Sequence, residues 1–101
     1  GIRHHGAAWY TTTFTVPKTV KENLWLLFDM LDGAAEIWID GRLAGKTPAA
    51  PWDKPKAIDL TKLAKPGIKH QLVMRVVKKS FVAGINGRVR LMESLRIVGD
   101  R

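Results

Sequence analysis

Apolar side chains recur at every second position along almost the whole chain, and this period of two constrains the fold more than any other feature. Successive side chains of an extended strand point to opposite faces, so the pattern specifies strands that each lay one face on a core. In the stretch 8–16, Tyr10, Phe14 and Val16 share one face with Thr12, and Trp9, Thr11, Thr13 and Thr15 take the other. Pro17 then stops the ladder, because it has no N–H to donate. In 23–31, Leu24, Leu26, Phe28 and Met30 face inward, while Trp25, Leu27 and Asp29 face the other way. Apolar residues on both faces suit an interior strand partly covered on its outer side. Ala35, Ile37 and Ile39 point inward on the next strand, with Glu36, Trp38 and Asp40 outward.

Turn chemistry divides these strands. Asp32-Gly33 is one turn. Asp40-Gly41 is a two-residue hairpin signal of the primed type, since both residues tolerate positive φ. Residues 42–46 form the returning arm. Pro48, Pro51 and Pro55 make 47–55 a stiff loop with Trp52 at its tip, and exclude a regular strand or helix there. Ala57, Ile58 and Leu60 resume order. Thr61 is placed to cap a short helical turn over 62–65, ended by Pro66-Gly67. Leu72, Met74 and Val76 face inward on a strand over 70–78, Gly84 and Gly87 break the chain, and Val89 with Leu91 and Leu95 with Ile97 close the pattern. About eight antiparallel strands at regular spacing predict an all-β jelly-roll sandwich. With 101 residues, the chain reads as a single domain.

Composition removes several function classes. Cysteine is absent, so no disulfide framework or thiolate site exists. No apolar run approaches the ~20 residues of a membrane-spanning helix, and no membrane partner is expected. The 17 basic and 9 acidic residues leave a net charge of +8, which attracts anionic partners. The lysines are spread over loops, however, at Lys18, Lys21, Lys46, Lys54, Lys56, Lys62, Lys65 and Lys69. No arginine-rich arm or basic helical stripe accompanies them, which disfavours a nucleic-acid partner.

The order of motifs resembles a known family. Ala8-Trp9-Tyr10 followed by Thr12-Thr13-Phe14-Thr15-Val16-Pro17 is similar to the first long strand of galactose-binding-like jelly rolls. Residues 32–45, with Trp38, Asp40 and Gly41, resemble their "G-x-A-x-V-W-V-N-G" hairpin, Asp40 standing where asparagine is usual. Ile58-Asp59-Leu60-Thr61, Leu72-Val73-Met74-Arg75-Val76 and the run from Gly84 to Leu91 resemble the crossover and closing strands. The resemblance covers residues 8–92. It points to the N-terminal sugar-binding domain of family-two glycoside hydrolases and to related accessory carbohydrate-binding modules. That family carries one or two strands before this point, so the chain is expected to be an excised or shortened unit. An open sheet edge would then invite a neighbour or a dimer.

The residues themselves offer little catalysis. Glycoside hydrolysis needs two carboxylates about 5–10 Å apart. Asp32 and Asp40 lie in turns at opposite ends of one predicted strand, and Glu36 has no predicted partner on its outer face. No nucleophile-elbow pattern surrounds Ser80 or Ser94. His4 and His5 are adjacent and would point apart, and His70 reads as a surface or strand-edge residue, so no zinc site is expected. No cofactor is expected beyond the structural calcium that the resemblance implies, for which Asp29 and Asp32 are the candidates.

Binding is the better expectation. Sugar recognition stacks an aromatic face on the pyranose and gives its hydroxyls to polar side chains. Trp52 is the first candidate, because its proline loop would hold it at low entropic cost; the alternative is a plug on the sandwich end. Trp9 is the second, with sheet covering as its alternative, and Trp25 and Trp38 read as packing. Arg42, Asn86 and Arg88 are the polar candidates, since an arginine fork takes paired hydroxyls or a uronate carboxylate. The expected function is a non-catalytic carbohydrate-binding or accessory domain of a glycoside hydrolase, with carbohydrate, including an acidic glycan, and a parent catalytic domain as partners. It would be secreted or periplasmic if the parent degrades polysaccharide. The rivals are a purely structural domain packed on that catalytic domain, and a basic module for an acidic protein or nucleic acid.

Overall fold

The computed structural model describes residues 7–20, 23–31, 33–50, 56–77, 81–85, 89–90 and 96–100. They form the strands β1 (Ala8–Thr15), β2 (Trp25–Leu31), β3 (Gly33–Ile39), β4 (Arg42–Ala50), β5 (Lys56–Asp59), β6 (Lys69–Val76), β7 (Phe81–Ile85), β8 (Val89–Arg90) and β9 (Arg96–Asp100). A five-stranded sheet runs β4-β3-β6-β1-β9 and a four-stranded sheet runs β5-β2-β7-β8. The strands pair antiparallel, and the two sheets form the all-β sandwich that the alternation requires.

The inward faces are those read from the period of two. Tyr10, Phe14 and Val16 of the first strand and its exit, Leu26 and Phe28 of β2, Ile37 and Ile39 of β3, and Leu72, Met74 and Val76 of β6 are buried in one core. Asp40 (φ 51°) and Gly41 (φ 82°) both take positive φ, so β3 and β4 are joined by the primed two-residue turn. Interior β2 leaves its outward Trp25 and Leu27 more than a third exposed.

Three expectations are corrected. Residues 47–50 belong to β4 rather than to a loop. Pro48 is tolerated because β4 is an edge strand and its register to β3 shifts between the Gly33 and Ala35 pairings. The buried Thr47 hydroxyl then accepts the Ala35 N–H (3.1 Å) where the ladder is interrupted. Gly84 lies within β7, opposite Leu27, so a ninth strand stands where a break was expected. Its short, glycine-containing run hid the alternation.

The crossover 60–68 forms two turns, at 61–63 and 66–67, and no helix. In the first, Ala64 N–H donates to the Leu60 carbonyl (2.8 Å), and the Asp59 carboxylate, not Thr61, caps the turn by accepting the Thr61 N–H (2.8 Å). Thr61 Oγ1 instead accepts the Leu24 N–H (2.9 Å), tying the crossover to the entry of β2. The expected last strand is β9, which contains Ile97 and pairs with β1 as a sheet edge; Leu95 lies outside the described residues.

Candidate functional site

The outward positions of the five-stranded sheet fall into rows set by the register. Trp9 lies opposite Arg75, Arg75 opposite Glu36, and Glu36 opposite Lys46. The next outward row holds Thr11, Val73, Trp38 and Leu43. Strands β1 and β3 flank β6 and so run about 10 Å apart. Yet the ring centroids of Trp9 and Trp38 are 5.5 Å apart with planes 28° from parallel. The two indoles therefore lean over β6 toward each other. That separation is an offset stack, the arrangement the aromatic quadrupole favours. Both rings are half-buried.

Beside the pair sits an ion cluster. Arg75 Nη1 donates to Glu36 Oε1 at 3.2 Å, and Lys46 Nζ lies 3.6 Å from Glu36 Oε2. Glu36 thus has partners, correcting the expectation that it has none: Lys46 from the adjacent hairpin arm β4, and Arg75 from β6, 39 positions away in sequence. Two cations share one carboxylate, so the cluster keeps a net positive charge. Arg75 has five N–H donors and spends one on a protein acceptor among the described residues. The exposed Leu43 and Val98 extend an apolar border at the two outer strands.

A second constellation closes one end of the sandwich. His70 is 4% exposed, which corrects its reading as a surface or strand-edge residue. Its Nε2 accepts the Lys65 N–H (2.9 Å), so that nitrogen carries no proton. The ring proton is therefore on Nδ1 and is donated to Asp40 Oδ2 (2.6 Å). Asp40 Oδ1 accepts the Gln71 N–H (2.8 Å). The His70 hydrogen bond, followed by the Gln71 N–H, holds the Asp40 carboxyl below its ordinary value. The same logic at Asp59, through the Thr61 hydroxyl and N–H, lowers that carboxyl too. An Asp–His pair of this kind orients a catalytic base only when the outer nitrogen is free. Here Lys65 occupies it, and the pair clasps the β3–β4 turn to the crossover.

Near that end a cleft of about 220 Å³ is lined by Val16, Val20, Leu24, Thr61, Ala64, Lys65 and Pro66. It is smaller than most ligand pockets, and its mostly apolar walls suit a sugar poorly.

Of the sequence candidates, Trp9 belongs to the outer face and Arg42 opens β4 next to the hairpin turn. Arg42 is paired with Ile39, three residues along and three strands across from Trp9, or roughly 17 Å at ordinary spacings. The two are not brought together. Trp52, Asn86 and Arg88 lie outside the described residues. So do Asp32 and the side chain of Asp29, the calcium candidates, and no group of three or more metal-ligating side chains occurs among the described residues. No helix of the described residues is long and apolar enough to cross a membrane. Sequence reasoning passed over Trp38 and Arg75. Both were placed outward by the alternation, but nothing local indicates that Trp38 meets Trp9.

No protein-family model matches the chain, and no curated protein does. Solved structures do. The β-glucuronidase of Faecalibacterium prausnitzii shares 27% identity at a TM-score of 0.63, over 73% of this chain and 12% of that one. A β-glucuronidase of Ruminococcus gnavus shares 24% at 0.62, over 72% and 12%. The Ruminococcus gnavus enzyme in complex with D-glucuronic acid shares 24% at 0.62, over 72% and 13%. The chain therefore spans about an eighth of the chains it matches, and at 24% the likeness is one of fold. The match agrees with the resemblance read from residues 8–92: the chain has the fold of a small β domain that makes up a minor part of those β-glucuronidase chains.

Proposed function

We propose that the chain is a non-catalytic accessory domain of a carbohydrate-active enzyme, and that it binds carbohydrate. One observation carries this reading: the likeness to β-glucuronidase chains is confined to 12% of their length and falls on an antiparallel sandwich. The side chains support it. Glu36 is held by Arg75 and Lys46, Asp40 by His70 and Gln71, and Asp59 by its own turn. Each of these carboxylates is engaged by partners within the fold. The role is targeting: a weak second site raises the concentration of polysaccharide near a separate catalytic centre. Trp9, Trp52, Asn86 and Arg88 remain proposed sugar contacts, and Arg42, roughly 17 Å from Trp9, would serve a separate contact.

The test is a glycan-array screen of the folded chain at physiological salt with calcium present. Binding to a defined glycan class supports the reading. Silence across the array from a folded sample overturns it and favours a second reading, a structural domain packed on its catalytic neighbour. Trp25 and Leu27, 37% and 36% exposed on the outer side of β2, are the observation that favours this alternative.

A further inference from the structure

Resting on the carbohydrate-binding reading, we propose that the outer face of the five-stranded sheet is the glycan platform and that its ligand is an acidic polysaccharide. A sugar ring lies against the Trp9–Trp38 pair, and its carboxylate takes the spare donors of Arg75 and the ammonium of Lys46. Four features meet on this face. The indoles are half-buried and fixed by each other, so little side-chain entropy remains to be lost on binding. Their offset leaves part of each ring face uncovered. Arg75 engages one protein acceptor among the described residues, and a guanidinium is built to grip a carboxylate with two parallel N–H bonds. Lys46 is 62% exposed and only loosely held by Glu36, so it can turn to a ligand anion at little cost.

The face is also long enough for a chain ligand. Four inter-strand spacings separate β4 from β9, roughly 19 Å. Charge selects the ligand. The cluster of Arg75, Lys46 and Glu36 is net positive, which favours a uronate over a neutral sugar. The small apolar cleft near Lys65 lacks this combination of flat aromatic surface and free cationic donors.

Affinity electrophoresis of the full 101-residue chain in gels containing polygalacturonate, or neutral β-1,4-galactan, tests the proposal. The parent is retarded by polygalacturonate more than by galactan. Arg75→Gln weakens polygalacturonate binding by at least about tenfold, as expected for one charge-assisted hydrogen bond. Trp38→Ala does the same, with its thermal melt confirming the fold. If Trp38→Ala does not fold, quenching of parent tryptophan fluorescence by polygalacturonate, diminished in Arg75→Gln, serves in its place. Lys69→Gln removes an equal charge from β6 outside the cluster and leaves binding near the parent's. Equal losses in Arg75→Gln and Lys69→Gln indicate unspecific attraction to a basic protein and overturn the proposal. Loss in Trp52→Ala alone moves the glycan off this face and overturns it too, while the accessory-domain reading stands. Equal retardation by both glycans overturns the acidic class. Absence of binding to any glycan, with the face instead protected by an added catalytic domain, overturns both.

Discussion

Asp40 shows how much one turn residue can hold. Its two carboxylate oxygens accept from two different donors, His70 Nδ1 and the Gln71 N–H. Asparagine suits the same primed turn, yet it offers one acceptor oxygen instead of two. Its amide NH2 would then face either the His70 Nδ1–H or the Gln71 N–H, donor against donor. Asp40→Asn is therefore destabilising despite its turn propensity, and a lowered melting temperature checks it. The carboxyl's folded value lies below its ordinary 3.8, so its contribution is complete above that pH and fades as pH falls through the folded value. Melts of the parent between about pH 5 and about pH 2 lose stability over this window, and Asp40→Asn flattens that loss. Removing the other partner costs more. His70→Ala opens a gap in a buried site and strips the Lys65 N–H of its acceptor, for about 2–4 kcal/mol in chemical denaturation.

Strands β4 and β5 bring the two sheets together along one margin, and a glycine sets how closely they approach. A Cβ on Gly45 would stand 2.8 Å from Ile58 Cγ2, inside van der Waals contact with a buried side chain. Gly45→Ala therefore costs about 1–3 kcal/mol by overpacking, and a urea midpoint lowered at unchanged slope is its signature. Gly41 is the contrasting case. A Cβ there meets nothing within 4 Å, so the penalty of Gly41→Ala comes from its φ of 82° alone. The interrupted ladder of β4 is stabilised by the buried Thr47 hydroxyl on the Ala35 N–H. Thr47→Val keeps the shape, removes the acceptor and costs about 1–3 kcal/mol in the same denaturation experiment.

Across the whole molecule, stability is graded from the centre of the larger sheet outward. Strands β3, β6 and β1 are each paired on both sides, whereas β4, β9, β5 and β8 are sheet edges. Amide hydrogen exchange is accordingly slowest at Ile37, Tyr10 and Met74 and fastest along the edges. If β9 instead exchanges as slowly as β6, a partner chain covers that edge in solution. The same layout exposes two unlike outer faces. The larger sheet carries the stacked indoles and the ion cluster, and the smaller one carries the half-exposed Trp25 and Leu27. One outer face is thus aromatic and charged, and the other is apolar.

The period of two was enough to assign Tyr10, Leu26, Ile37 and Met74 to the core and Trp9, Glu36 and Trp38 to the outside, because alternation is a local property of extended backbone. Asp40-Gly41 was likewise readable, since its positive φ values belong to two adjacent residues. Pro48 and Gly84 misled because their effect depends on neighbouring strands: proline is harmless at an interrupted edge, and glycine is acceptable in a paired strand. The Trp9–Trp38 stack, the Glu36–Arg75 pair and the Asp40–His70 pair join residues 29, 39 and 30 positions apart along the chain. Alternation determines which way a side chain points. Which strand lies beside it was decided by the path of the chain through the sandwich, where β6 enters between β1 and β3 and brings their outward faces together.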